Sequence, residues 1–232
     1  MAALAQTQTQ YVYRHPHPAV TTNVVIFTIE QQRLKVLLVR RPRAPFQGVW
    51  ALPGGFIAME EGLEESALRA LERETGMQGV YLEQLFSFGR PDRDPRERVI
   101  TVAYYALVPS DRLTRRAQSD VDWFAVDALP TLAFDHRDIV ELAIARLAAK
   151  LDYSTIAFQF MPREFTLSEL QAVYEVILGE RLDKRNFRKR VLGLAHIEPV
   201  GQARRQGSHR PAMLYKVKHP ERVEIISSRR SR

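Results

Sequence analysis

The sequence has no cysteine, which excludes disulfides and thiolate-held metals and fits a cytoplasmic protein. Long apolar runs are missing too. Charge interrupts every hydrophobic stretch within about ten residues, against the roughly 20 that a membrane-spanning helix needs, so no membrane partner is expected. The N-terminal stretch MAALAQTQTQYVYRHPHP has no basic flank leading into an apolar core, so no secretory signal is expected. Residues 1–18 read as a mobile arm, with His15 and His17 as arm residues rather than ligands. What is present is an ordinary globular composition. Of 232 residues, 45% are hydrophobic and 26% charged, a length and balance that suit two domains of unequal size.

The net charge of +7 is unevenly placed. Residues 1–150 carry 18 Lys/Arg and 18 Asp/Glu, whereas residues 151–232 carry 16 Lys/Arg and 9 Asp/Glu, so the whole excess lies in the C-terminal third. Such asymmetry points to a polyanionic partner. Residues 181–218 concentrate it further, with 11 Lys/Arg and 2 Asp/Glu, whereas a merely solvated face intersperses both signs.

Alternation and turn residues organise the chain. Asn23–Ile29 and Leu34–Val39 are β-branched, apolar runs around the hairpin-length connection Glu30–Arg33. A Pro/Gly-rich loop covers Arg41 to Gly55. A helix over 62–75 follows, stopped by Gly76. Strands are expected near Tyr81–Phe88, Val99–Val108 and Val121–Ala125. A further helix runs to Lys150, with Asp135 placed to cap it and His136 in a structural role. Mixed strands and helices give an α/β or α+β first domain. The expected division is residues 19–150 as this domain, 151–164 as a linker, 165–226 as a second domain and 227–232 as a basic tail.

The second domain has a helix–turn–helix layout. Thr166-Leu167-Ser168-Glu169 has capping-box spacing, and Leu167, Leu170, Val173, Tyr174, Ile177 and Leu178 recur at helical steps. A short turn with Gly179 leads to Asp183, a cap for a helix over Lys184–Leu192. On that helix Phe187 and Val191 gather with Leu194 on one side, and Lys184, Arg185, Arg188 and Lys189 fall opposite, as groove insertion requires. Lys184, Arg185, Asn186, Arg188, Lys189 and Arg190 are the candidate DNA-binding residues of the helix. Two short strands around residues 201–210 form a wing offering Arg204, Arg205, His209 and Arg210 to phosphate or the minor groove. Charge and geometry alone specify a polyanion, with double-stranded DNA favoured and RNA the alternative.

In the first domain, Gly55, Glu61, Arg69, Leu71, Glu74, Gly76 and Met77 fall in register on G-x5-E-x7-R-E-U-x-E-E-x-G-U, where U is bulky and apolar. The stretch resembles the Nudix box, which implies an α/β/α sandwich. The fold class expected for the whole chain is therefore α+β, an N-terminal Nudix α/β/α sandwich followed by a C-terminal winged helix-turn-helix domain. Two departures stand out. Ala70 and Arg73 occupy positions where the family has Glu, so a methyl and a guanidinium replace two hard ligands that Mg²⁺ requires. The expectation is no catalytic residue, with Glu61, Arg69 and Glu74 as remnants of the box, no metal site, Mg²⁺ disfavoured and no required cofactor. A ligand pocket is still expected, with Arg40, Arg41, Arg43, Trp50, Gly54, Gly55, Arg73, Arg93 and Arg98 as candidate ligand-binding residues. The arginines suit pyrophosphate and Trp50 or Phe46 suits a base.

Several runs, among them Arg93-Asp94-Pro95-Arg96, Ala133-Phe134-Asp135-His136 and Leu182-Asp183-Lys184-Arg185-Asn186-Phe187-Arg188, make nearly the whole chain after the arm similar to the NrtR-type transcriptional regulators of NAD metabolism. The resemblance implies a homodimeric repressor of NAD synthesis or salvage genes, a palindromic operator, and ADP-ribose or a related NAD-derived nucleotide as effector. The alternative is an active Nudix hydrolase of ADP-ribose-like nucleoside diphosphates.

Overall fold

The computed structural model describes residues 13–113, 120–204 and 212–226. Residues 13–18 carry no helix or strand, with Tyr13 stacked on His17 at 3.7 Å. Residues 1–12 of the expected arm and the 227–232 tail lie outside the described residues.

Strands β1 (Ala19–Glu30) and β2 (Arg33–Arg40) form the expected hairpin. Gln31 and Gln32 turn it with φ of 53° and 58°, two consecutive left-handed residues as a type I′ connection requires. Short β3 (Trp50–Ala51) and β4 (Gly54–Phe56) follow, then α1 (Leu63–Thr75), β5 (Tyr81–Phe88), β6 (Val99–Leu107) and β7 (Val121–Ala125). The sheet order is β3-β2-β1-β6-β5, with β4 on β1 and β7 on β2, and β1 runs parallel to β6.

Alternation along the sheet divides its side chains between two faces. Val24, Ile26, Val102, Tyr104 and Ala106 pack against Ala67, Ala70 and Leu71 of α1. Val25, Phe27, Val36, Leu38, Ala103, Tyr105 and Leu107 pack against Ile139, Val140, Ala143 and Leu147 of α2 (His136–Lys150). One helix on each face makes an α/β/α sandwich.

The presumed linker 151–164 is packed rather than extended. Leu151, Ile156, Ala157, Phe158, Phe160 and Met161 are all buried, and Ile156–Phe160 forms a 3₁₀ turn. The physical reason is composition, since so many apolar side chains gain more from burial than from solvated flexibility. Beyond it, β8 (Phe165–Thr166), β9 (Ile197–Arg204) and β10 (Ala212–Val217) make a small sheet of order β8-β10-β9. Helix α3 (Leu167–Leu178) packs on β8 and β10, and α4 (Lys184–Gly193) packs on α3. The α3 capping box and the Asp183 cap on the Asn186 amide both form. Phe187 meets Tyr174 edge to face at 5.2 Å. A single apolar core runs from the sandwich through the 151–164 segment to Phe187, Val191 and Ile197.

Candidate functional site

A cavity of about 600 Å³ opens on the α2 side of the sheet, lined by parts of β1, β4, loop 41–44, loop 93–96 and Phe134–His136. Gly54 is fixed by close approach. A Cβ there would lie 2.1 Å from the Thr22 carbonyl oxygen and 2.7 Å from Asn23 Nδ2. The Thr101 hydroxyl donates to Asn23 Oδ1 at 2.7 Å, which leaves Nδ2 as the donor end of this lining residue. Gly55 lines the cavity beside it.

The charge is strongly positive. Arg41, Arg43, Arg93 and Arg96 face it, against Asp94 in the lining and Asp135 behind. These arginines are not equivalent. Arg93 donates twice to Asp135, at 3.0 and 2.6 Å, and both side chains are only 3% exposed. Arg96 forks onto Asp94 at 3.0 and 2.7 Å, which holds the Asp94 carboxyl below its usual range. Arg41 donates to the Pro45 carbonyl and lies 4.6 Å over the Phe134 ring. Burial, and then the neighbouring Arg96 charge, lower its pKa. Arg43 is exposed at the cavity wall. An anion entering here meets Arg41 and Arg43 before any carboxylate partner must be displaced.

Aromatic side chains supply the apolar part. Phe134 has φ of 54° and Phe46 of 61°, a left-handed conformation that costs a bulky residue on the order of 1–3 kcal/mol and gathers at ligand clamps. Their rings meet edge to face at 4.9 Å. Phe56, nearly half exposed in the lining, has the Arg96 guanidinium 5.6 Å from its ring. His136 completes the wall. The Leu52 amide donates to its Nδ1 at 3.0 Å, so the neutral ring carries its proton on Nε2. Burial pushes this imidazole down to about 3.

Of the residues expected at the ligand, Arg41, Arg43, Gly54, Gly55 and Arg93 line this cavity, and the rest do not. Within that lining Arg93 is held by its two bonds to Asp135. Asp135, in turn, makes no side-chain cap on α2, because the guanidinium takes both its oxygens. Trp50 packs edge to face on Phe124 at 4.8 Å, with Arg40 5.1 Å above it. Both therefore belong to the β2–β3–β7 side of the sheet. Arg73 pairs with its neighbour Glu74 at 2.6 Å on α1. Arg98 bonds to the Arg90 carbonyl at 3.2 Å and ties its own loop. Arg96, which the arginine-rich loop 91–98 offers as a pyrophosphate partner beside Arg93 and Arg98, also lines the cavity, whereas Phe134 was missed as a site residue although the Phe-Asp-His run carried it.

The other Nudix-box side chains are also engaged. Glu61 takes two bonds from Arg69, at 2.6 and 2.7 Å, which with the Ala58 amide holds its carboxyl near 2. Glu65 bonds back to the Gly62 amide at 2.9 Å. Ala70 is buried in the α1 core.

A second surface is formed by α4. Phe187 and Val191 face inward, and Lys184, Arg185, Asn186, Arg188 and Lys189 are exposed together. Arg188 also reaches the Ser168 hydroxyl at 3.5 Å. The turn before α4 is held by Gln171 and Glu175, which bond the Leu182 carbonyl and amide at 3.0 Å each. Arg190 departs from its neighbours. Its guanidinium donates to the carbonyls of Leu151 and Asp152, at 3.2 and 3.1 Å. Three residues past Phe187, it comes round to within about 60° of the core-facing line, so its side chain meets the segment that follows α2. Strands β9 and β10 pair antiparallel as the wing. Arg205, His209 and Arg210 lie outside the described residues, and for Arg204 the backbone alone is described.

Comparison with known proteins agrees with this two-part architecture. A NUDIX domain model matches residues 17–143, and the model of the NrtR DNA-binding winged helix domain matches residues 157–217. A curated relative from Acinetobacter baylyi, the "ADPR responsive transcriptional repressor NtrR", is 39% identical over 87% of this chain and 83% of its own length. The crystal structure of Shewanella oneidensis NrtR complexed with a 27mer DNA superposes with a TM-score of 0.80. It is 39% identical, over 87% of this chain and 94% of that one. The NUDIX domain of the same protein complexed with ADP ribose matches with a TM-score of 0.50 and 41% identity, over 57% of this chain and 90% of that one. Sandwich, winged helix and the order in which they follow each other all coincide, and the chain belongs to the NrtR family.

Proposed function

We propose that this protein is a transcriptional repressor that binds a palindromic operator as a homodimer through α4. It releases DNA when ADP-ribose, or a related NAD-derived nucleotide, fills the first-domain cavity. Its targets are genes of NAD synthesis or salvage. The observation that carries the reading is one chain holding both an exposed cationic recognition helix and a cationic, aromatic-walled cavity. Arg41 and Arg43 suit a pyrophosphate, Phe134 or Phe56 suits a base, and Gly54 and Gly55 let a ligand approach the backbone. On DNA, Lys184, Arg185, Arg188 and Lys189 reach phosphates or guanine edges and Asn186 suits adenine, with the wing against the flanking backbone.

The same reading makes the first domain a sensor rather than a hydrolase. Glu61 and Glu74 are each paired with an arginine, Glu65 serves the helix cap, and Ala70 offers no oxygen. No group of three or more metal-ligating side chains gathers among the described residues. This donor set does not fit a divalent ion. Nor does restoring Glu at position 70 alone rebuild a site, because that side chain would enter the core between α1 and the sheet.

Ligand binding and DNA binding are linked free energies, so each must weaken the other by the same factor. The test is operator binding by fluorescence anisotropy on duplexes from the protein's own promoter regions, at fixed salt, with ADP-ribose and with NAD. The expected result is at least a tenfold loss of affinity with the effector and no nucleotide turnover with Mg²⁺ or Mn²⁺. Unchanged affinity at saturating ADP-ribose overturns the effector assignment, and turnover overturns the sensor assignment.

A further inference from the structure

Helix α2 touches both functional surfaces. At its N-terminus, Phe134 and His136 line the ligand cavity, Asp135 locks Arg93 of the cavity loop, and His136 holds the Leu52 amide. Its middle is buried through Ile139, Val140, Ala143 and Leu147, and it packs against α3. Just past its C-terminus the carbonyls of Leu151 and Asp152 receive the Arg190 guanidinium, with the Asp152 carboxylate 3.9 Å away. Fifteen residues at 1.5 Å each separate the two ends by about 22 Å.

We propose that Arg190 is a positioning residue that ties the recognition helix to the end of α2, so that occupancy of the cavity reaches α4 through one rigid rod. The inference rests on the effector reading above. The last carbonyls of a helix lack intrahelical partners and carry partial negative charge, so a guanidinium is well matched to them. Arg190 belongs to the same helix as the DNA-facing Lys184, Arg185, Arg188 and Lys189. A tilt of α2 at the cavity end therefore moves the groove-reading surface without any contact between ligand and DNA domain. A second tie lies alongside. The Thr155 amide donates to the Glu224 carbonyl at 3.0 Å, and the Ile226 amide to the Tyr153 carbonyl at 2.7 Å. The chain that leaves the wing is thereby pinned to the same segment. With α4 held by Arg190 and the wing's exit by Glu224 and Ile226, the DNA-binding domain follows the end of α2 as a body.

A direct phosphate contact and a positioning role predict different measurements. Each neutralised phosphate contributes about 0.9 to the slope of log affinity against log salt. Arg190→Met keeps the aliphatic stem and removes every donor. Because the side chain is half exposed, the core is spared, and Arg190→Gln serves as a second variant of different shape. Full-length wild type, both Arg190 variants and Lys189→Met are compared in operator binding across salt, with and without saturating ADP-ribose. Affinity for ADP-ribose alone is measured by calorimetry. For the Arg190 variants we expect an unchanged salt slope, ADP-ribose affinity within twofold of wild type, and at least a fivefold loss in the ratio of operator affinities without and with ADP-ribose. Lys189→Met should lose slope and keep the ratio. An Arg190 variant that loses slope as Lys189→Met does, or that keeps the wild-type ratio, overturns the proposal. A wild type indifferent to ADP-ribose sinks the effector reading instead, and the salt slope still decides the role of Arg190.

Discussion

Replacing Asp135 by alanine should destabilise this protein more than the loss of any surface ion pair. Both members of the Arg93–Asp135 pair are 3% exposed and two hydrogen bonds join them. Removing one partner of a buried pair strands the other charge away from water, at about 3–5 kcal/mol. At roughly 2–4 °C per kcal/mol for a chain of this size, the melting temperature falls by on the order of 10 °C. The comparison pair is Arg33–Asp127, whose side chains are 49% and 67% exposed. Its loss should cost no more than about 1 kcal/mol. Replacing both buried partners, Arg93→Met with Asp135→Leu, removes both charges together and should recover most of the deficit, a strongly non-additive cycle. The assay is urea denaturation followed by circular dichroism and tryptophan fluorescence, with calorimetry for the melting temperature. Asp135→Ala costing no more than Asp127→Ala, or a double variant costing the sum of its singles, would refute the reasoning. Arg93 would then be free for the ligand after all.

Two further outcomes follow from the same wall of the cavity. His136 is held neutral, with a pKa near 3 against about 6.5 in an unfolded chain. The unfolded state therefore binds the extra proton first, and stability falls as the pH drops from about 6.5 towards 3. From pH 8 to pH 5 the loss is about 2 kcal/mol, and denaturation of His136→Gln across that range should show a correspondingly flatter profile. Gly54→Ala drives a Cβ to within 2.1 Å of the Thr22 carbonyl oxygen. It should cost at least about 2 kcal/mol by overpacking and weaken ADP-ribose binding measured by calorimetry, whereas Gly55→Ala, with open space at its Cβ, should leave stability within about 0.5 kcal/mol.

The features legible in the sequence are those that local chemistry decides. Thr166 with Glu169, Asp183 before α4, and Gly76 and Gly179 in left-handed caps act within one turn of their own helix. The two-face alternation of β1 needed only β-branched residues in sequence, and the inward face of α4 only the spacing of Phe187 and Val191. Residues whose partners are remote were misread. Asp135 sits where a cap belongs, yet Arg93, 42 residues away, claims its carboxylate. Arg190 looks identical to Arg188 and Lys189 until α2 is set beside it. Trp50 suits base stacking by type, but pairing of β3 with β2 places it against Phe124 rather than in the cavity. Phe134 was hidden for a different reason. Its usefulness lies in a left-handed backbone conformation that nothing in a phenylalanine's chemistry favours.

The continuous core also bears on how this architecture can vary. If sensor and reader were beads on a flexible string, either could be exchanged while the other carried on. Instead Ile156, Phe158 and Phe160 join α2, α3 and Phe187 in one apolar interior. A cut anywhere between residues 150 and 165 would lay that interior open on both sides. The DNA-reading part is therefore not a transplantable cassette. A change of ligand preference near α2 and a change of operator preference on α4 must be accommodated by the same packing, and the two specificities evolve under a shared constraint.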